Sequence, residues 1–360
     1  MSTRRILEAF ERWRSEQAPL VLVTVVDTEG STYTKAGHRI LINAAGGFQG
    51  LVSGGCLEGD LAEHAREVLR SGRAQLLTYD LRDEHEGIFG LGIGCNGLFR
   101  VLLQPVGPEQ GYAPFAAIAA GLLGEAPGCV ATVVESTDPA LLPGATLVTG
   151  ADTESARDLP GGWRAVLRHG CSAHREAPRA LTVTEADAGL SARVLYAPLR
   201  PLPRLLVLGA GLDAVALVEI ARQLGWRVTV ADHRPAYLAR GDLGAADHVQ
   251  QLVPAELARS VELARYTAVV VMSHHLVTDR SYLAALAATS VPYIGLLGPR
   301  ARRDRLLADL GASATGLGRR LHAPIGLPIG ADSPETIALA ILAEIHATLA
   351  GRLDLVAAGR

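Results

Sequence analysis

The residues that could do chemistry are cysteines and histidines set among glycines, with acidic and basic groups close by. Cys56 follows Gly54-Gly55 and opens a helical pattern. A helix N-terminus lowers a thiol pKa and favours the thiolate. Two preceding glycines let a bulky ligand come close to the backbone. A soft-metal ligand or a sulfur-handling thiol suits such a place. Cys95, within Gly92-Ile93-Gly94-Cys95-Asn96-Gly97, is also framed by glycines. The competing reading for both is a small buried cysteine, the commoner fate of unpaired thiols. That is the reading for Cys129, which starts a β-branched run, while Cys171 in His169-Gly170-Cys171 has no frame to interpret. None of the four forms a C-x-x-C pair, so a zinc ribbon and a thioredoxin motif are absent. Glu58 falls in the first turn of the Cys56 helix, where its default role is to complement the dipole. Ser31, Thr32, Lys35 and Gly37 make a polar turn, with Lys35 either meeting a phosphate or sitting idle on the surface.

A second set lies in the C-terminal half. Gly209-Ala210-Gly211 stands between an apolar run and a helical pattern. Strand, glycine turn and helix in that order are what a pyrophosphate site needs: the first glycine turns the chain, the second lets the backbone approach, and the helix offers free N–H groups. Ala214 replaces the usual third glycine, and Asp232 ends the next strand, where a carboxylate can accept from a ribose hydroxyl. Asp213 suits the helix dipole and would repel a phosphate. Ser273-His274-His275 follows a third strand, at the end where ligands bind in such sheets. Asp279 is expected to cap the helix after it. Arg300, Arg302 and Arg303 begin a helix against the dipole preference, which an anionic ligand or acidic partner at Arg300 would offset. For Arg302 and Arg303 a solvated basic face is the plainer expectation.

These groups need elements to hold them. Apolar spacing predicts a helix over residues 4–16 and a buried strand over 20–27. A hairpin follows over 39–52, then a helix over 57–70 that Gly72 stops. Strands are expected at 74–79, 99–103, 129–135 and 193–198, with a helix at 112–123. Residues 137–192 read as loops and short strands, and no internal repeat is evident. Pro198-Leu199-Arg200-Pro201-Leu202-Pro203 is a stiff connector. The expected fold is α/β: an N-terminal α/β domain with a mixed sheet over 1–198, a linker at 199–203, a Rossmann-type doubly wound parallel sheet over 204–347, and a tail at 348–360. Ser333 and Pro334 open a last helix that completes the core or a dimer interface.

The chain has 360 residues, 49% of them hydrophobic, enough for two domains with sizeable cores. A net charge of −3 without a long basic stripe argues against nucleic acid as a partner. No apolar run is long enough for a membrane span, and the start lacks a secretory pattern. Sparse, unpaired cysteines suit a reducing, cytoplasmic setting.

At these residues the chain resembles the XdhC/CoxI family, the xanthine dehydrogenase accessory factors. The resemblance spans nearly all of it, through Gly30-Ser31-Thr32-Tyr33-Thr34-Lys35-Ala36-Gly37, Gly54-Gly55-Cys56-Leu57-Glu58, the glycines around Cys95, Gly209-Ala210-Gly211, Asp232-His233-Arg234, Gly295-Leu296-Leu297-Gly298 and His322-Ala323-Pro324-Ile325-Gly326-Leu327. Thr34 stands where the family usually has a proline nearby. The Gly-Cys-Asn-Gly form around Cys95 looks closer to the CoxI-like branch. The resemblance implies a maturation factor for molybdenum hydroxylases. Such a protein binds the molybdenum cofactor, as molybdopterin or its dinucleotide form, supports its sulfuration by a cysteine desulfurase, and delivers it to the apo molybdenum hydroxylase. It would act as a chaperone without turnover of its own. Cys56 would then be the metal contact, with Gly54, Gly55 and Cys95 beside it. Gly209, Gly211, Asp232, His274 and Arg300 would hold the phosphate or nucleotide end.

Two other readings stay open. One is an NAD(P)-dependent oxidoreductase, favoured by the glycine turn and weakened by the lack of a Tyr-x-x-x-Lys or His–Arg catalytic set. The other is an assembly protein acting through partner contacts alone. A homodimer is compatible with all three.

Overall fold

The computed structural model describes residues 2–55, 57–82, 97–150 and 153–353. The chain divides into two compact units, Met1–Pro201 and Leu202–Arg360.

The first unit begins with α1 (Thr3–Ser15), β1 (Leu20–Gly30), β2 (Arg39–Asn43), β3 (Phe48–Gln49), α2 (Glu58–Ser71), β4 (Gln75–Asp80) and β5 (Gly97–Val106). It continues with α3 (Phe115–Leu123), β6 (Gly128–Ser136), β7 (Thr146–Thr149), β8 (Glu154–Arg157), α4 (Gly161–His174), β9 (Leu181–Asp187) and β10 (Leu190–Leu199). The strands make two five-stranded sheets, ordered β3-β2-β1-β5-β4 and β8-β7-β6-β10-β9. Every pairing in both is antiparallel, where the sequence suggested a mixed sheet. Within each sheet the first three strands are sequence neighbours paired antiparallel, and a helix, α2 or α4, carries the chain from the strand at one edge to the strand at the other.

The two halves follow one plan, which corrects the expectation of no repeat. Thr24-Val25-Val26-Asp27 of β1 corresponds to Thr132-Val133-Val134-Glu135 of β6, and Arg100-Val101-Leu102 of β5 to Arg193-Val194-Leu195 of β10. Val25 pairs with Val101 and, past a register slip, Asp27 pairs with Arg100. Val133 pairs with Val194 and, past the same slip, Glu135 pairs with Arg193. Gly37, at φ 87°, donates its N–H to Val25, and Gly144, at φ 92°, donates to Val133, both at 2.8 Å. The matching segments are short and the links between them differ in length, so the sequence alone hides the repeat.

The halves meet through their equivalent residues. Val26, Leu102, Val134 and Leu195 form one buried cluster. Arg100 reaches Glu135 at 2.6 Å, and Arg193 reaches Asp27 at 3.1 Å and Glu135 at 2.9 Å.

Helix α4 falls where the sequence suggested loops and short strands. Its Gly161, Gly162 and Gly170 lower helix propensity, but Trp163, Leu167, Gly170 and Cys171 form a buried stripe at helical spacing. Gly170 is required because a Cβ there would collide with the Tyr196 ring and hydroxyl.

The second unit holds β11 (Arg204–Leu208), α5 (Leu212–Gln223), β12 (Arg227–Asp232), α6 (Pro235–Leu238), β13 (His248–Gln251), α7 (Leu257–Ser260), β14 (Ala268–Val271), α8 (Leu276–Ala287), β15 (Tyr293–Leu296), α9 (Arg300–Leu310), β16 (Leu321–His322) and α10 (Pro334–Leu349). The strands run parallel in the order β13-β12-β11-β14-β15-β16. Their inner members are continuous apolar runs, as a sheet covered on both faces requires. One face packs under α5 and α10, the other under α8 and α9. The Rossmann-type expectation is thus met. The two edge strands β13 and β16, short and polar, carried no periodic signal. Chain order reverses between β11 and β14, where a doubly wound sheet opens a crevice for ligands.

Candidate functional site

In the first unit, the turn after β1, the approach to α2 and the start of β5 at Gly97 lie at one end of the β1–β5 sheet. Ser31, Thr32, Thr34, Ser53, Leu57 and Gly97 are among the residues that line a cavity there. The Thr34 hydroxyl donates to the Val52 carbonyl at 2.9 Å, tying the first link to the second. Gly97 lies flush against the first link, since a Cβ would meet the Ser31 carbonyl oxygen at 2.7 Å.

Glu58 organises the second link. It begins α2 and is buried. Its carboxylate accepts from the N–H groups of Val52 (2.8 Å), Ser53 (3.1 Å) and Leu57 (3.2 Å), and from the Ser53 hydroxyl (2.8 Å). Burial pushes this carboxyl up, but those donors outweigh it and hold it below the usual range. The dipole role expected for Glu58 is therefore the lesser part of what it does: it closes the chain on both sides of Gly54-Gly55-Cys56. Gly54 and Gly55 take φ 82° and 119°, a left-handed region open to glycine. Among the described residues no atom lies within 4 Å of a Cβ built on Gly55. Cys56 and Cys95 lie outside the described residues.

Tyr33, which sequence reasoning misses, is 63% exposed, and its ring edge is 3.7 Å from where a Gly54 Cβ would sit. A large exposed aromatic inside a polar glycine turn was the signal available. Lys35 donates to the Thr32 hydroxyl at 3.2 Å. Cys129 and Cys171 are buried free thiols, as expected for Cys129. Among the described residues no group of three or more His, Cys, Asp or Glu side chains could hold a metal.

In the second unit the glycine turn sits at the crevice. Gly209 has φ 130°, and a Cβ there would meet the Met272 carbonyl oxygen at 2.5 Å, so the turn depends on glycine for close passage of β14. Gly211 is the N-cap of α5, and Ala214 is fully buried. Asp232, expected to accept from a ribose, is committed internally. Its Oδ2 accepts from Ala210 N–H and Arg234 Nη2, both at 2.7 Å, and its Oδ1 from Arg234 N–H and Nε, both at 2.9 Å. Burial raises this carboxyl, and the Arg234 and backbone donors bring it below its ordinary value.

His274 reaches this turn from the end of β14. It adopts φ 61°, uncommon for a residue with a Cβ, with Nε2 2.7 Å from Asp213 Oδ2 and a side chain 57% exposed. His275 is the N-cap of α8, a place the sequence assigned to Asp279. Asp279 instead lies buried in the first turn, taking a hydrogen bond from Ser273 and an ion pair from Arg302 at 2.6 Å. Arg302 is therefore no solvated face, because the buried carboxylate needs it. Arg303 donates to Ala323 at 2.9 Å, and Arg300 is exposed.

The segment His322-Ala323-Pro324-Ile325-Gly326-Leu327 is a packing device. Buried Glu344 of α10 accepts from the Tyr293 hydroxyl and the Gly326 N–H, both at 2.8 Å, and His322 stacks on Tyr293 at 4.2 Å. The apolar face of α10 packs on α5 within this unit.

Comparison with known proteins adds an independent line. The profile described as the XdhC and CoxI family matches residues 13–80, and the XdhC Rossmann domain matches residues 205–345. A probable xanthine dehydrogenase subunit of Bacillus subtilis (strain 168) is 30% identical over 340 residues, 92% of this chain and 94% of that protein. The molybdenum cofactor insertion chaperone PaoD of Escherichia coli (strain K12) is 25% identical over 328 residues, 90% of this chain and 82% of that protein. A crystal structure of a xanthine dehydrogenase from Bacillus halodurans superposes with a TM-score of 0.79 at 26% identity, over 98% of this chain and 97% of that one.

Proposed function

Because this chain belongs to the XdhC and CoxI family, we propose that it is an accessory factor that carries the molybdenum cofactor as cargo and hands it to a xanthine dehydrogenase-type apo molybdenum hydroxylase. The names of its relatives support that reading, and one structural observation carries it further. The link that contains Cys56 is held by a buried carboxylate, has no described residue crowding Gly55, and has an exposed aromatic ring beside it.

Each part suits a piece of this cargo. A thiolate at Cys56, favoured at the start of a helix, is a soft donor for a molybdenum–dithiolene centre. Tyr33 offers a face on which a planar pterin stacks. Gly54 and Gly55 leave room for the bulk between them. Cys95, framed by glycines in the sequence, is a second candidate donor in this reading. Sulfuration of the held cofactor by a cysteine desulfurase, in the reducing cytoplasm, fits a role of protection before transfer. In the second unit, the Gly209-Ala210-Gly211 turn, with His274 and Arg300 at the strand ends, receives a nucleotide or phosphate group. Asp232 shapes that turn through Ala210 and does not face a ribose.

Protein purified from a molybdenum-replete host tests this reading. Metal analysis together with pterin fluorescence after oxidation is expected to give molybdenum and pterin in near-equal amounts. Protein carrying neither would contradict it.

A further inference from the structure

The end of β12 presents cations where a nucleotide ribose would lie. We propose that the second unit selects a nucleotide whose ribose bears a phosphate, of the NADP(H) type, over one with a free 2′-hydroxyl. This deepens, and rests on, the reading of the Gly209-Ala210-Gly211 turn as a nucleotide site.

In a doubly wound sheet the ribose bound at the first turn lies beyond the second strand, where a carboxylate with a spare oxygen accepts its hydroxyls and a nearby arginine accommodates a 2′-phosphate. Asp232 has no spare capacity. A carboxylate offers about four lone-pair sites, and four donors fill them: Ala210 N–H, and the N–H, Nε and Nη2 of Arg234. The side chain is fully buried as well.

That same clamp fixes Arg234 at the mouth of the turn. Its guanidinium lies over the Tyr237 ring at 3.7 Å, and that of Arg240 is 5.3 Å from the same ring. Arg240 is itself anchored, donating to the Ala210 carbonyl at 2.9 Å and to Asp242 at 3.0 Å. The two side chains stay 28% and 27% exposed, and no described residue accepts from Nη1 of either. Two oriented guanidiniums with donors to spare match a phosphomonoester, which takes charge-assisted hydrogen bonds from such forks.

Asp213 shapes the affinity without setting the preference. Its carboxylate lies against Gly211 and is paired with His274 at the start of α5, so a pyrophosphate must displace it. Removing that charge strengthens binding of either dinucleotide alike.

The full-length chain is titrated with NADPH and with NADH, following nicotinamide fluorescence. NADPH is expected to bind about tenfold more tightly or better, the scale of one added charge-assisted contact. Arg240→Ala, and Arg240→Gln as a milder variant, leave the Asp232–Arg234 clamp in place. Both are expected to bring the two affinities together by weakening NADPH alone, while Asp213→Asn tightens both and keeps their ratio. Equal affinities in the unmodified chain, no binding of either, or a preference that survives both Arg240 variants would each overturn the proposal. Molybdenum and pterin are measured on the same preparations. Cargo present without a nucleotide preference removes this inference alone, and a preference without cargo removes the carrier reading alone.

Discussion

The two halves of the first unit share strand order, register slip and the glycine that opens their second strands, yet the links between their elements differ sharply in length. In the first half, residues 50–57 join β3 to α2, with two left-handed glycines and a buried carboxylate to hold them. In the second, residues 158–160 make the same connection. The link from β4 to β5 takes residues 81–96, whereas β9 and β10 are joined by Ala188 and Gly189 at φ 49° and 84°, a tight hairpin turn. Near the start of α4, Trp163 is buried and donates to Asp138 at 2.8 Å. The difference teaches that one framework can carry very different links, and the proposed binding of cargo falls on the longer links of the first copy.

Mutations on the two sides should therefore have opposite signatures. The largest effect on stability is expected from Trp163→Ala in the second half. Emptying a large aromatic site costs about 3–5 kcal/mol, which lowers the melting temperature of a domain this size by roughly 10 °C, while molybdenum per folded protein stays unchanged. Tyr33→Ala should do the reverse, reducing cargo without moving the melting temperature. Calorimetry with metal analysis on both variants reads this directly, and loss of cargo in the folded Trp163 variant would break the comparison.

Glu58 comes next. Glu58→Gln removes acceptors from buried donors at a cost of about 1–3 kcal/mol, with a loss of bound cargo that no change at Gly161, where α4 begins, should match. The pH sign follows from its depressed carboxyl. The stabilisation is present above the ordinary carboxylate range and is lost as pH falls through the lowered folded value. Acid titration of the unmodified chain should show this step, and the Gln variant should lack it.

The smallest effect tests the crossed ion pairs between the halves. Glu135 holds two arginines and its counterpart Asp27 one. Partly exposed pairs contribute little, so Glu135→Gln should cost about 1 kcal/mol or less and Asp27→Asn less again. Equal losses in urea unfolding would remove that asymmetry.

How much of this could be read from the sequence depended on distance along the chain. The left-handed Gly54-Gly55 pair and the Gly209-Ala210-Gly211 turn were legible because residue type and neighbours carry the signal. The β11–α5–β12 order followed from periodicity. What escaped were pairings between remote segments. Asp232 looked available for a ribose until Ala210 and Arg234 were found upon it. Arg302 looked solvated until Asp279 was seen buried beneath it. Helix α4 was hidden by its glycines, of which Gly170 is explained by the Tyr196 ring packed against it. The repeat was hidden by links whose lengths differ between the two halves.

The account turns on a single thiol in the elaborated half. Molybdenum content should be measured for Cys56→Ala and, as a control from the plain half, for the buried Cys171→Ala, each purified folded from a molybdenum-replete host. The expected result is loss of metal in the first and retention in the second. Full retention of molybdenum by folded Cys56→Ala protein would contradict the assignment of cargo to that link.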